Sequence, residues 1–185
     1  MTDTRPAAAE LPLEGDIFMR RLLRELSGLL EDVVGTESAE GYISGVGSIM
    51  GRWIGEQYRG AIDLECADAR LLAEVLVDLK RRIGGEFHII AVSEDRIVLG
   101  NARCPFGDMV QDRPSLCMMT SNVFGRIVAD SLGYARVELQ ETIAAGHGRC
   151  RVVVHLEPRR ESAPGEMEYF STRSAADARE PEPAE

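Results

Sequence analysis

No run of apolar residues in this chain approaches the ~18 to 20 needed to cross a bilayer. The opening stretch MTDTRPAAAELPLEGD is polar and acidic, unlike a secretory leader. Both absences predict a cytoplasmic protein with no membrane partner. Basic residues are in deficit, 21 against 31 acidic, for a net charge of -10. A chain so acidic lacks the electropositive footprint of a nucleic-acid binder, and no direct contact with DNA is expected. Aromatic residues are sparse at 5%, and neither G-x-S-x-G, H-E-x-x-H nor a phosphate-binding glycine motif occurs. Cysteines number only four. In a reduced compartment that small set reads as metal ligands, redox partners or core filler before it reads as a disulfide framework.

What is present fits one domain of 185 residues with 44% hydrophobic content. Residues 1–14 lack periodicity, and residues 158–185 are rich in Pro, Ser, Ala and charge. Both read as disordered tails around a single domain at 15–157. In the second tail Met167, Tyr169 and Phe170 form a small hydrophobic island, read as a chance cluster or as a docking element.

From Asp16 to Gly35 the spacing of Ile17, Leu22, Leu26, Leu29, Leu30 and Val33 predicts an amphipathic helix. Its stripe suits either its own core or a second copy, and a homodimer through the N-terminal helices is the expectation. The next segment carries Gly47, Gly51 and Gly55 at i, i+4 and i+8. Each costs a helix about 1 kcal/mol relative to Ala, which close helix packing along the glycine ridge would offset. ADARLLAEVLVDLKRRIGG gives a third helix closed by Gly84 and Gly85. Beyond it, EFHIIAVSEDRIVLGN reads as a hairpin, PSLCMMTSNVFGRIVADSLGY as a helix, and ARVELQETIAAGHGRCRVVVHLEP as a second hairpin. The fold class is α+β: N-terminal helices packed on a mostly antiparallel sheet of about four strands, with an inserted helix.

Cys104 follows a strand, Cys117 opens a helix and Cys150 begins the last strand, so a loop marked by Pro105, Gly107 and Pro114 folds back between the first two. Closed zinc sites take four ligands and iron-sulfur clusters usually four thiolates. The fourth donor is sought in His147, three residues before Cys150, or in Cys66, Asp108 or Glu141. Burial as small hydrophobes is the competing reading. His88 and His155 read as ordinary strand-face residues. An apolar pocket between helices and sheet, touched by Trp53, Tyr58, Met118 and Phe124, is a natural ligand site, though ordinary core is the first reading of all four side chains. An enzyme using Cys104 or Cys117 with His147 as base is the catalytic alternative. A structural adaptor with inert cysteines is the non-catalytic one.

The run from Arg103 to Pro158, with C-P-F-G, then P-x-L-C, then G-x-G-x-C-x-V, resembles the methanogen output domain and the ligand-sensing domains of the vinyl-reductase type. The resemblance is most specific from Phe87 to Leu156. It implies an α+β regulatory module, non-catalytic, working with a regulatory protein partner in signalling or transcription control. Cys104, Cys117 and Cys150 match the family's cysteines, which implies a zinc or iron-sulfur site. Related iron-sulfur repressors carry a fourth nearby cysteine and a winged-helix domain, and this sequence has neither.

Overall fold

The computed structural model describes residues 14–64, 66–159 and 165–173. The proposed N-terminal tail, apart from Glu14, and most of the C-terminal one lie outside them. Four helices and five strands follow in the order α1 (Gly15–Val34), α2 (Thr36–Ala61), α3 (Ala69–Arg82), β1 (Phe87–Val92), β2 (Arg96–Asn101), α4 (Cys117–Leu132), β3 (Tyr134–Glu141), β4 (Cys150–His155) and β5 (Met167–Phe170). The strands form one antiparallel sheet in the order β1-β2-β4-β3-β5. α3 and α4 lie against the sheet, α2 packs on α4, and α1 packs on α2.

The core sits between the sheet and α3–α4. Leu72, Leu76, Ile97, Leu99, Phe124 and Val152 are buried there. Asp68 caps α3 through its carboxylate, which accepts from the Leu71 N–H at 2.8 Å, while Lys80, Arg81 and Arg82 occupy the last turn where the helix dipole favours cations. The glycine ridge of α2 does what its spacing predicts. A Cβ added to Gly47 would stand 2.7 Å from the Asn122 Cβ, and one on Gly51 2.8 Å from the Arg126 Cβ, so α2 and α4 approach more closely than any larger residue permits.

The sheet has five strands where about four are expected, because Met167–Phe170, read as part of a tail, pairs with β3. Gly125 leaves open the space on α4 that the Tyr169 ring fills. The Tyr169 hydroxyl meets Ser121 Oγ at 2.9 Å, and Phe170 stacks edge-on against Tyr134 at 5.5 Å. A four-residue strand has too short a pattern to stand out among prolines and charges. What holds it is the notch on a helix more than forty residues earlier.

α1 reverses the usual sense of an amphipathic helix. Its buried residues are Ser27 and Gly28, whereas Leu26, Leu29 and Val33 are 55%, 62% and 73% exposed. Polar contacts seat it. The Arg24 guanidinium donates to the carbonyls of Met109 and Gln111 at 2.7 and 2.6 Å, the Ser115 hydroxyl bonds Glu31, and the Arg113 side chain lies where a Cβ on Gly28 would project. The helix therefore rests on the Cys104–Cys117 loop through arginines and a carboxylate.

Candidate functional site

Two short 3-10 turns, Gly107–Val110 and Pro114–Leu116, fold the loop between β2 and α4 back on itself. Pro114 opens the second turn, where its fixed φ suits the first helical position. Asp112 adopts a left-handed φ of 58°, a conformation that short polar side chains tolerate better than most. Val110 and Leu116 then join Ile43 and Ala144 in a small buried cluster against which Cys104 and Cys117 pack. This brings Cys104, at the loop's start, beside Cys117, at its end.

Cys150 enters from β4, where it pairs with Asn101 of β2. Cys104, Cys117 and Cys150 line one cavity of about 30 Å³, together with Asn101, Thr120 and Thr142. That volume suits one small species such as an ion or a water. Donors already face the sulfurs. The Ile143 N–H lies 3.4 Å and the Asn101 amide 3.8 Å from Cys150 Sγ, Thr142 bonds Cys117, and the Phe106 N–H faces Cys104. Such donors stabilise a thiolate. The ligand set, soft sulfur with N–H donors behind it, suits a single thiophilic ion such as zinc or iron, and a space of this size does not take an iron-sulfur cluster. Among the described residues, three ligand atoms within 4.8 Å of one another occur at Glu138, His155 and Glu166 and not at the thiols. Gathering the three sulfurs onto one ion therefore requires the loop or its side chains to move.

Burial sets the charge state of this cavity. It pushes the Cys117 thiol up to about 12 from an ordinary 9.0, and raises Cys104 as well. Both are protonated at neutral pH, the opposite of an activated nucleophile. Beside them lies Lys80, whose amine donates to Thr120 Oγ1 at 2.8 Å and sits 5.3 and 5.2 Å from the ring centres of Phe87 and Phe124. Burial lowers it to about 8. A cation in an apolar setting beside thiols is placed to offset thiolate charge. Sequence reading missed Lys80, since its place in the last turn of an amphipathic helix is also that of a solvated lysine.

The proposed fourth ligands fall elsewhere. His147 is exposed, its Nδ1 3.1 Å from the Thr142 carbonyl oxygen. With Asp108 it lines an open basin of about 470 Å³ on the outer side of the loop, which Cys104 also borders. Glu141 is held by Arg149 at 2.6 Å, and Cys66 is exposed between α2 and α3. The nearer oxygen donors are Asn101, Thr120 and Thr142.

Of the apolar set, Trp53 and Tyr58 line one groove of about 320 Å³ with Met50, Leu79, Ile83 and Met119. The Tyr58 hydroxyl donates to Asp78 at 2.7 Å; that bond and the Arg82 guanidinium hold the Asp78 carboxyl down at about 2. Met118 instead packs beside Ile43 and Leu116, and Phe124 is fully buried edge-on to Phe87.

His155, read as an ordinary strand residue, is buried with its Nε2 3.4 Å from Glu138 and 4.0 Å from Glu166. Arg159 Nη1 stands 3.0 and 3.2 Å from the two ring nitrogens, and Arg136 pairs with Glu166 and Glu168. Arg136 already neutralises Glu166 and Glu168, so the group works as an ion network fastening the segment around β5 to the sheet.

Architecture and site together define a small α+β domain with a thiol-lined cavity beneath a helical layer. The chain belongs to the methanogen output domain 1 family, whose sequence profile matches residues 22–155. No curated protein matches it in sequence. Among solved structures it resembles the phenol-responsive sensory domain of the transcription activator PoxR, determined with phenol, at 17% identity and a TM-score of 0.60, covering 80% of this chain and 77% of that one. It also resembles a trafficking protein particle complex subunit 3 from Naegleria fowleri, covalently bound to palmitic acid, at 16% identity and a TM-score of 0.53, covering 78% and 99%. At these identities the likeness is one of fold. Among the described residues no helix is long and apolar enough to cross a membrane.

Proposed function

We propose that this protein is a non-catalytic sensory module in signalling or transcription control, whose input is a metal ion, or a redox change, at Cys104, Cys117 and Cys150. One observation carries this reading: the loop that holds two of the three thiols is also the seat of α1, through Arg24 on Met109 and Gln111 and through Glu31 on Ser115. Drawing the sulfurs together, or oxidising them, moves the loop, and α1 has to follow or lose its polar contacts. The position of this helix is the output, read by a regulatory partner.

In this account the three cysteines would hold the metal, which would supply a thiolate-bound charge centre. Asn101, Thr142 and the Ile143 and Phe106 N–H groups orient the sulfurs, and Lys80 offsets the charge. The groove at Trp53 and Tyr58 is a second input, suited to a small apolar ligand in keeping with the phenol-responsive neighbour. It reaches the same helix layer, since Met119 lines it and lies two residues beyond Cys117. A cytoplasmic setting belongs to this proposal, because free thiols persist in reducing compartments.

The test is elemental analysis and an absorption spectrum of anaerobically purified protein, for wild type, Cys104→Ala and Cys150→Ala. Stoichiometric zinc, or iron with visible absorption, lost in both variants, is the expected result. Metal-free wild type that stays folded and binds neither metal on addition contradicts the metal input and leaves an adaptor with inert cysteines.

A further inference from the structure

Among the described residues eighteen large hydrophobic side chains are exposed, and thirteen of them lie on α1 and α2. They are ordered. On α1, Met19, Leu22, Leu26, Leu29 and Val33 recur at spacings of three and four, and on α2 Tyr42, Val46, Ile49 and Trp53 do the same. This is the 3.5-residue period of a seam that meets another helix knob into hole. Both seams are left exposed: α1 meets the loop through Arg24 and Glu31 and also packs on α2, and α2 meets α4 through Gly47 and Gly51.

From this we infer that a second copy of the chain packs on the α1–α2 face, the two α1 seams running antiparallel about a two-fold axis near Leu26. Area supports it. If each of the nine seam side chains offers roughly half of the ~150 Å² that a large side chain carries, the seams present about 700 Å². That exceeds the ~300 to 600 Å² of a typical monomer's largest apolar patch and approaches the ~800 Å² each partner contributes to a standard interface. Charge supports it too. Arg21 and Asp32 lie on the same flank of the α1 seam, and an antiparallel two-fold contact sets Arg21 of one copy opposite Asp32 of the other, twice. An isologous contact of this kind needs only one self-complementary face. A membrane surface is the poorer occupant. A helix lying on lipid carries Lys and Arg along its polar flanks, whereas this flank carries one Arg21 against Glu25 and Asp32 on a chain of net charge -10. Trp53 belongs both to the α2 seam and to the apolar groove, so the second copy covers the groove's mouth.

Sedimentation equilibrium of the full chain over the micromolar range tests the inference. Wild type is expected to sediment as a dimer. Leu26→Glu raises the dissociation constant by ~30-fold or more. Its helical circular dichroism stays unchanged, because the substituted side chain faces solvent in the single chain. Ile49→Glu has the same effect from the other helix, which keeps the test open if either variant misfolds. Arg21→Asp weakens the dimer and Arg21→Asp with Asp32→Arg restores it. A monomeric wild type, a dimer indifferent to both glutamates, or a monomer that floats with zwitterionic lipid vesicles overturns the inference.

Discussion

α1 and α3 are both amphipathic helices of ordinary composition, yet they are set into the molecule in opposite senses. α3 turns Leu72, Val75, Leu76 and Leu79 into the core and leaves Arg70, Glu74 and Arg81 in water. α1 turns Ser27 and Gly28 inward, seats itself by arginine and glutamate, and leaves Leu26, Leu29 and Val33 in water. A hydrophobic stripe tells which side of a helix seeks cover. Whether that cover comes from the helix's own domain depends on what the rest of the chain puts beside it. For α3 the sheet is there; for α1 a loop of turns with free carbonyls is there, and polar side chains suit it better.

Deleting matched leucines separates the two helices. Leu76→Ala, at a fully buried site, is expected to destabilise the domain by about 2–5 kcal/mol in denaturant unfolding. Next in size is Lys80→Met. The amine is held down at about 8 against an ordinary 10.5 by burial, so its desolvation penalty is fully present below pH 8. Between pH 8 and 10.5 the unfolded chain binds the extra proton, and stability rises with pH from this group. Cys117, raised from 9.0 to about 12, works in the opposite direction above pH 9. Lys80→Met should stabilise the metal-free protein by about 1–3 kcal/mol at pH 7 and abolish the rise between pH 8 and 9. A variant less stable at pH 7 would show that Lys80 is already compensated by thiolate. Smallest is Leu26→Ala, which should leave unfolding of the monomeric state within ~0.5 kcal/mol of wild type. If Leu26→Ala matches Leu76→Ala in that monomeric state, α1 is ordinary core and the contrast fails.

Much of the fold was legible because its signals are local. The glycine ridge of α2, the capped α3 and the two hairpins each announce themselves within a window of a few turns. β5 was not, since its stability comes from a notch at Gly125 and a charge partner at Arg136. Of the candidate site, the spacing of Cys104, Cys117 and Cys150 pointed to a loop closing on itself, and the three do line one cavity. Nearness in sequence to Cys150 favours His147 as a fourth ligand, but the turn at Gly146 to Gly148 carries that side chain to the outer face of the loop. Lys80 and the His155 network were invisible, because burial of a lysine or a histidine is decided by elements far away in the chain.

The most direct measurement is hydrogen exchange of the reduced protein before and after one equivalent of zinc, read in the segment 101–117 and in α1. Slower exchange in both, lost together in Cys104→Ala, is the outcome expected if the thiol cavity controls the helix that rests on its loop. Zinc bound at one equivalent with α1 unchanged would contradict it.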